Sequence, residues 1–75
     1  MLYSINDVCK IILEDYGEPM SPYWLASQMV EARMWKANEC EVRVALDEEI
    51  EKFGESAWFI KTEDDEYSLR EWEEQ

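Results

Sequence analysis

The chain has 75 residues, a formal net charge of −12 and no histidine. Such a length supports one hydrophobic core, and a hydrophobic content of 47% is too high for a disordered segment. The chain has neither an apolar run long enough for a membrane span nor the basic and apolar regions of a signal peptide. We therefore expect a single domain over 1–75, cytoplasmic, or in the nucleoid or nucleus if the chain is a module of a larger DNA-associated protein.

The charge balance restricts the activities and partners that we expect. Nineteen Asp and Glu residues oppose seven Lys and Arg residues, and the acidity runs along the whole chain. A generic nucleic-acid binder carries a basic footprint, which this chain lacks. Without histidine, a glycine-rich phosphate loop or a metal-ligand spacing, we expect no enzymatic activity, no cofactor or metal and no small-molecule substrate.

Two cysteines, Cys9 and Cys40, fit no metal-binding spacing. A disulfide between them is one formal interpretation of the pair. Reduced, partly buried thiols of a cytoplasmic protein are the interpretation that we favour, because both residues fall within helical patterns.

The first helical pattern begins at Ser4, a predicted N-cap with Asp7 in the reciprocal position of a capping box. Gly17 favours a left-handed end to the helix, and Pro19 prevents its continuation. The pattern predicts a helix over 5–16. Its inner stripe has the spacing of one helical face and consists of Ile5, Val8, Cys9, Ile12 and Tyr16.

The second helix begins at Ser21 and Pro22, a cap followed by proline at the first helical position. The pattern predicts a helix over 22–33. Its inner stripe consists of Leu25, Met29 and Ala32.

The third helix begins after Asn38, with Glu41 in the capping-box position, and Gly54 ends it. Its predicted apolar face consists of Val42, Ala45, Leu46, Ile50 and Phe53. The two cations of this helix have acidic residues four positions away within reach. We expect Arg43 to pair with Asp47, and Lys52 to pair with Glu48.

After Gly54 the pattern changes to that of strands, over 57–62 and 67–70. A charged turn, 63–66, joins them, so the segment predicts a β-hairpin. We expect Phe59 to face the core and its neighbour Trp58 to face outward. We also expect Trp72 to pack as part of the closing strand, and 71–75 to fray. A three-helix bundle with a disordered tail is the alternative.

Several short segments recur in one known family. They are the turn Gly17-Glu18-Pro19-Met20, Trp24-Leu25-Ala26, Met34-Trp35-Lys36, Phe59-Ile60-Lys61 and the closing Tyr67-Ser68-Leu69-Arg70-Glu71-Trp72. With these segments, nearly the whole chain resembles the HARE-HTH domain, a winged-helix module that is also similar to the N-terminal domain of the delta subunit of bacterial RNA polymerase.

The resemblance implies a fold that is mostly α with a small antiparallel hairpin, a winged helix-turn-helix of three helices plus a wing, without catalysis. Family members occur in proteins of transcription, chromatin, DNA repair and restriction, where they are proposed to bind DNA or to link effector domains to DNA-associated machinery. The delta-like relatives dock on polymerase. This chain departs from the pattern in its acidic wing tip, 63–66, and in the short segment Ala37-Asn38 before the third helix.

In a DNA-reading winged helix the solvent face of the third helix carries basic or amide side chains. Here that face holds one apolar residue and five carboxylates, namely Glu41, Val44, Asp47, Glu48, Glu51 and Glu55. The wing tip adds Glu63, Asp64, Asp65 and Glu66. We therefore expect a protein partner with a basic surface, such as a polymerase subunit or a DNA-associated protein, rather than direct nucleic acid or a membrane. A DNA mimic and a merely solvated acidic face are the other interpretations of these charges.

Trp24 and Trp35 lie on a face of the second helix offset from its inner stripe. Trp24 is a candidate aromatic anchor for a partner. For Trp35 we favour packing over the edge of the core. If nucleic acid is bound instead, a non-standard basic face must provide Arg33, Lys36 and Lys61, with Lys10 and Arg70 beside them.

Overall fold

A computed structural model of the chain describes residues 4–73. The elements are, in chain order, α1 Ile5–Tyr16, α2 Pro22–Glu31, α3 Glu39–Phe53, a 3-10 turn Gly54–Ser56, β1 Phe59–Lys61, β2 Tyr67–Leu69 and α4 Arg70–Glu73. The expected mostly helical fold with a small antiparallel hairpin is confirmed. A helical bundle with a disordered tail does not describe these residues, because both strands are formed. The expected fraying of 71–75 is wrong for 71–73, which form part of the helical turn α4, and 74–75 lie outside the described residues.

The bounds of α1 agree with the prediction, because both of its caps form. Ser4 Oγ accepts a hydrogen bond from the Asp7 amide, and Asp7 Oδ2 accepts one from the Ser4 amide. At the other end Gly17 adopts a left-handed conformation with φ 74°. The predicted inner stripe was wrong at Tyr16, which is 49% exposed, and it omitted Leu13, which is buried.

α2 is two residues shorter than predicted, ending at Glu31. The chain turns away because the amides of Met34 and Trp35 both bond to the Met29 carbonyl. Ala32, predicted to be buried, is therefore exposed in this turn. Leu25 and Met29 are buried as predicted, and Ala26 is buried beside them.

The capping box of α3 forms as predicted, with Asn38 Oδ1 accepting from the Glu41 amide at 2.8 Å. Val42 and Leu46 are fully buried, and Ile50 packs against the core. Phe53, predicted to be on the apolar face, is 52% exposed. It lies in the last turn, beyond the part of α3 that the core covers.

The hairpin is antiparallel and pairs Phe59 with Leu69, and Lys61 with Tyr67. Both strands are shorter than predicted. Met20 also pairs with Tyr67 in an isolated antiparallel bridge beside the two-stranded sheet, through amide-to-carbonyl bonds of 3.0 and 2.8 Å. Sequence reasoning placed Met20 only in a turn.

The end of the described chain folds back on the first strand. Trp58 is exposed and Phe59 buried, as predicted. Trp72 packs partly buried against the core, but from the helical turn α4 rather than from a strand. The turn begins at Arg70, whose Nε and Nη2 donate to the carbonyls of Ala57 and Gly54 at 2.9 and 3.0 Å.

The two cysteines are free, so the disulfide interpretation is wrong. Cys9 is fully buried in the core, and burial together with the nearby Glu49 carboxylate raises the pKa of its thiol to about 12. Cys40 is exposed, contrary to the expectation that both thiols are partly buried.

The two glycine caps generate a testable difference in stability. Gly17 has φ 74° and ψ 18°, whereas Gly54 has φ 54° and ψ −120°, a region that side-chain-bearing residues adopt far less readily. A Cβ would meet no atom within 4 Å at either position, so backbone conformation alone decides the cost. We expect Gly17→Ala to lower the free energy of unfolding by about 1 kcal/mol, and Gly54→Ala by about 2 kcal/mol or more.

Urea unfolding followed by circular dichroism measures both losses. Gly17→Asn is the matched control, because asparagine tolerates the left-handed region, and it should cost less than Gly17→Ala. Equal losses for the two alanine variants would contradict this account of the caps.

Candidate interaction surface

One surface of the protein combines the outward side of α3 with the turn of the hairpin. We call it the acidic face. It consists of Glu41, Val44, Asp47, Glu48, Glu51, Glu63, Asp64, Asp65 and Glu66. All of these residues are exposed except Asp47 and Glu66, which are half-buried. Glu55, also predicted on the outward side of α3, lies beyond the helix in the 3-10 turn Gly54–Ser56.

Two basic side chains tie the hairpin turn to α3. Arg43 Nη1 contacts both carboxylate oxygens of Asp65, at 3.0 and 2.9 Å. Lys61 Nζ lies 3.3 Å from Asp65 Oδ1 and 3.6 Å from Asp47 Oδ1. Asp65 reaches this position with φ 62°, a left-handed conformation that aspartate tolerates in turns. We call the group Arg43, Asp47, Lys61, Asp65 and Tyr67 the wing latch.

Tyr67 forms the buried end of the wing latch. Its ring is fully buried in the core, and its hydroxyl donates to Asp47 Oδ1 at 2.6 Å. Burial and the Asp47 carboxylate raise the pKa of Tyr67, so the phenol keeps its proton and remains a donor. The acidic side of α3 is therefore attached to the core by a specific hydrogen bond.

The wing latch corrects the predicted ion pairs of α3. Arg43 pairs with Asp65, and more distantly with Glu39 at 4.0 Å, instead of with Asp47. Asp47 instead accepts from the Tyr67 hydroxyl and lies 3.6 Å from Lys61 Nζ. Lys52 forms no ion pair with Glu48 in residues 4–73, and its Nζ lies 5.5 Å from the Phe53 ring.

The ion pairs of the wing latch leave the acidic face with a large excess of negative charge. The latch engages Arg43 and Lys61 with its own carboxylates, which leaves Lys52 of α3 as an exposed cation near the Phe53 ring. Glu41 caps α3 through the Asn38 amide. Among the described residues, the carboxylates of the face with neither an ion pair nor a hydrogen bond are Glu48, Glu51, Glu63, Asp64 and Glu66.

The basic residues proposed for an alternative nucleic-acid contact differ in their contacts and in their exposure. Lys61 belongs to the wing latch. Arg70 donates to backbone carbonyls, and Lys10 Nζ lies 4.7 Å from the ring centroid of Trp58. Arg33 and Lys36 are exposed between α2 and α3, where Arg33 has φ 57°.

The exposed aromatic residues of α2 lie near its beginning. Trp24 is 55% exposed, and its ring meets the Tyr23 ring edge-on at 5.9 Å. Trp35, for which we expected packing over the core edge, is 37% exposed. Sequence reasoning missed Tyr23 and Tyr16 as exposed aromatics. The helical spacing of Tyr23 from Leu25 and Met29 could have indicated its exposure.

Residues 4–73 contain no group of three or more His, Cys, Asp or Glu side chains that could hold a metal ion. In the same range no helix is long and apolar enough to cross a membrane. Comparison with protein families, with curated proteins and with solved structures finds no match for this chain. Functional inference therefore depends on the geometry and charge of the surface.

The hydroxyl of Tyr67 provides the first test of the wing latch. Tyr67→Phe keeps the buried ring and removes only the bond to Asp47, whose half-exposed carboxylate can be rehydrated. We expect the free energy of unfolding to fall by about 1 kcal/mol in urea denaturation. Tyr23→Phe is the control, because that hydroxyl is exposed and makes no hydrogen bond within residues 4–73; a loss as large in the control would contradict the assignment.

The pKa of Asp65 provides the second test. Hydrogen bonds from Arg43 and Lys61 lower it below the ordinary carboxyl value. Since folding lowers this pKa, the latch contributes stability above the ordinary value and loses that stability as the pH falls through the lowered one. In Arg43→Gln we expect the pKa of Asp65 to rise toward its ordinary value. As the pH is lowered, the hairpin amides of this variant should lose their protection from hydrogen exchange at a higher pH than those of the wild type.

Carbon-detected NMR titration of the Asp65 carboxyl between pH 6 and pH 2 measures this change. Lys52→Gln removes one positive charge from α3 without touching the latch, and should leave the Asp65 titration unaltered. An Asp65 titration that is identical in Arg43→Gln and the wild type would show that Arg43 does not set this pKa.

Proposed function

We propose that this chain is a non-enzymatic winged-helix module that docks on a basic protein surface. The order of three helices followed by an antiparallel hairpin supports the winged-helix assignment. The Met20–Tyr67 bridge adds to that support, since it joins the segment between α1 and α2 to the hairpin by antiparallel backbone pairing. In this assignment α2 and α3 are the helix-turn-helix, and the turn 63–66 is the tip of the wing.

The ion pairs of Arg43 and Lys61 carry the proposal for a protein partner. A DNA-binding winged helix needs positive side chains on α3 and the wing that can reach phosphates. Here Arg43 and Lys61 are bound by Asp47 and Asp65, and contact with phosphate would require breaking those pairs. Apart from Lys52, the charged side chains of α3 and the hairpin turn that are left to meet a partner are carboxylates.

Electrostatic magnitudes agree with this choice of partner. A carboxylate about 7 Å from a phosphate is repelled by roughly 0.6 kcal/mol, even at the dielectric constant of water. Several such pairs cost a few kcal/mol, whereas non-specific DNA binding amounts to only about 5–8 kcal/mol. Toward a basic protein surface the same carboxylates are attractive, and they would steer association more than they hold the complex.

The resemblance to the HARE-HTH domain supports a setting in transcription or DNA processing. Relatives of the delta-subunit type dock on polymerase through protein contacts, which is the mode that this charge distribution favours. A polymerase subunit or another DNA-associated protein is accordingly the partner that we propose.

Charge reversal tests the proposal at residues outside the latch and caps. The triple variant Glu48→Lys, Glu51→Lys and Asp64→Lys changes the acidic face while leaving Asp47 and Glu41 with their hydrogen-bond partners. Using a lysine decamer as a basic probe, we expect the triple variant to bind roughly tenfold more weakly in fluorescence anisotropy.

The control carries the same change in net charge at another place. Glu55→Lys, Glu71→Lys and Glu73→Lys alter exposed carboxylates outside the acidic face, and should weaken binding of the decamer much less. Equal weakening by both triple variants, with both proteins folded by circular dichroism, would show that the probe senses net charge rather than a docking surface.

Titration of the labelled protein with a mixed-sequence DNA duplex tests the alternative. At about 20 mM salt any phosphate contact has its greatest effect. The docking proposal requires the amide spectrum to stay unchanged. Salt-sensitive shifts around Arg33 and Lys36, the exposed basic residues between α2 and α3, would instead support nucleic-acid binding.

A further inference from the structure

A cup of about 300 Å³ lies beside the N-terminal turn of α2, where the end of α1 and the wing come close. We call it the Trp24 cup. The residues that line it include Tyr16, Glu18, Pro19, Met20, Trp24 and Glu66. Its volume is at the lower limit for small-molecule pockets, which suits the end of one side chain better than a whole ligand.

Two aromatic rings of the cup are accessible and held by neighbours. Trp24 and Tyr16 each expose about half of their surface, at 55% and 49%. The Tyr16 hydroxyl donates to Gln28 Oε1 at 2.5 Å, and the Tyr23 ring contacts the Trp24 ring edge-on with an interplanar angle of 78°. The aromatic surfaces are therefore arranged before any partner arrives.

The charged residues that line the cup are both acidic, Glu18 and Glu66. A cation over an aromatic face is attracted by the quadrupole of the ring. Neighbouring carboxylates attract it further through their negative charge. Glu66 also belongs to the acidic face, so the cup continues that surface around the wing. The chain's net charge of −12 disfavours a second copy as the occupant.

At another tryptophan of this protein a lysine side chain already lies over the indole ring. Lys10 Nζ lies 4.7 Å from the ring centroid of Trp58, which is also exposed. Lys61 lies over the Tyr67 ring in the same way, at 5.6 Å. Within residues 4–73 no lysine or arginine lies over Trp24.

From these observations we propose that the Trp24 cup binds one lysine or arginine side chain of the partner protein. This inference rests on the proposed docking function and specifies the contact. The cationic group lies over the Trp24 ring, with Glu18 and Glu66 as its counter-ions, while the acidic face meets the surrounding basic surface.

The test uses a single cationic side chain instead of the unidentified partner. The probe is the blocked tripeptide glycine-lysine-glycine, and its match is the same peptide with the lysine Nε acetylated. We expect the lysine peptide to move the Trp24 indole N–H signal saturably in the millimolar range. The acetylated peptide, which keeps the stem and loses the charge, should leave it in place.

Variants locate the binding site. In Trp24→Leu we expect the affinity measured from the Gln28 and Glu66 amides to fall roughly three- to fivefold, the factor of an exposed cation–π contact. The double variant Glu18→Gln and Glu66→Gln should weaken binding by at least as much. Trp35→Leu, a change at another exposed tryptophan, should leave the affinity unaltered.

The outcomes separate this inference from the docking proposal. An unmoved Trp24 signal, or equal shifts with both peptides, overturns the cup even if reversal at Glu48, Glu51 and Asp64 still weakens decamer binding. If the Trp24 signal responds and the reversal changes nothing, the cup stands and the acidic face is wrong as the docking surface.

Discussion

The structure depends on Tyr67, because this residue contacts three different parts of the chain. Its ring packs in the core, while its backbone and its hydroxyl form hydrogen bonds elsewhere. The ring is fully buried in the core. The backbone pairs with Met20, which fixes the connection between α1 and α2, and the hydroxyl donates to Asp47 on α3. A buried hydroxyl without an acceptor would be costly, so the hairpin can pack only where α3 presents that carboxylate.

This requirement links stability to surface chemistry. Asp47 accepts from Tyr67 and also lies within reach of Lys61, which in turn contacts Asp65. The contacts that hold the wing on α3 are thus the contacts that withdraw positive charge from the surface. A variant of this fold that released Arg43 and Lys61 for phosphate would need another way to hold its wing.

Local signals predicted most of the secondary structure, because caps and periodicity act over a few residues. Ser4, Gly17 and Asn38 marked helix ends correctly, and the hairpin was located from its strand pattern. The Met20–Tyr67 bridge could not be predicted in this way, since it joins residues 47 positions apart. The pattern was also misleading at Tyr16 and Phe53, which occupy core-facing positions in the last turns of helices that extend past the core.

The acidic side chains of the surface were predicted from sequence, but their pairing was not. An arginine at position 43 has carboxylates four residues away in both directions on its own helix, Glu39 and Asp47, and isolated surface pairs differ by only a few tenths of a kcal/mol. Nothing local indicates that Asp65 is the better acceptor. The Trp24 cup was missed for a similar reason, since its lining comes from α1, α2, the segment between them and the hairpin turn.

The fixed wing latch has a consequence for the rate at which complexes form. Because Arg43 and Lys61 are held by Asp47 and Asp65, the carboxylates of the acidic face present a field of one sign that does not need rearrangement before an encounter. Such a field accelerates the approach of a basic partner at low ionic strength and has little influence on its departure. Complexes of this protein should therefore respond to salt mainly through their association rate, while their lifetimes depend on the short-range contacts made after arrival.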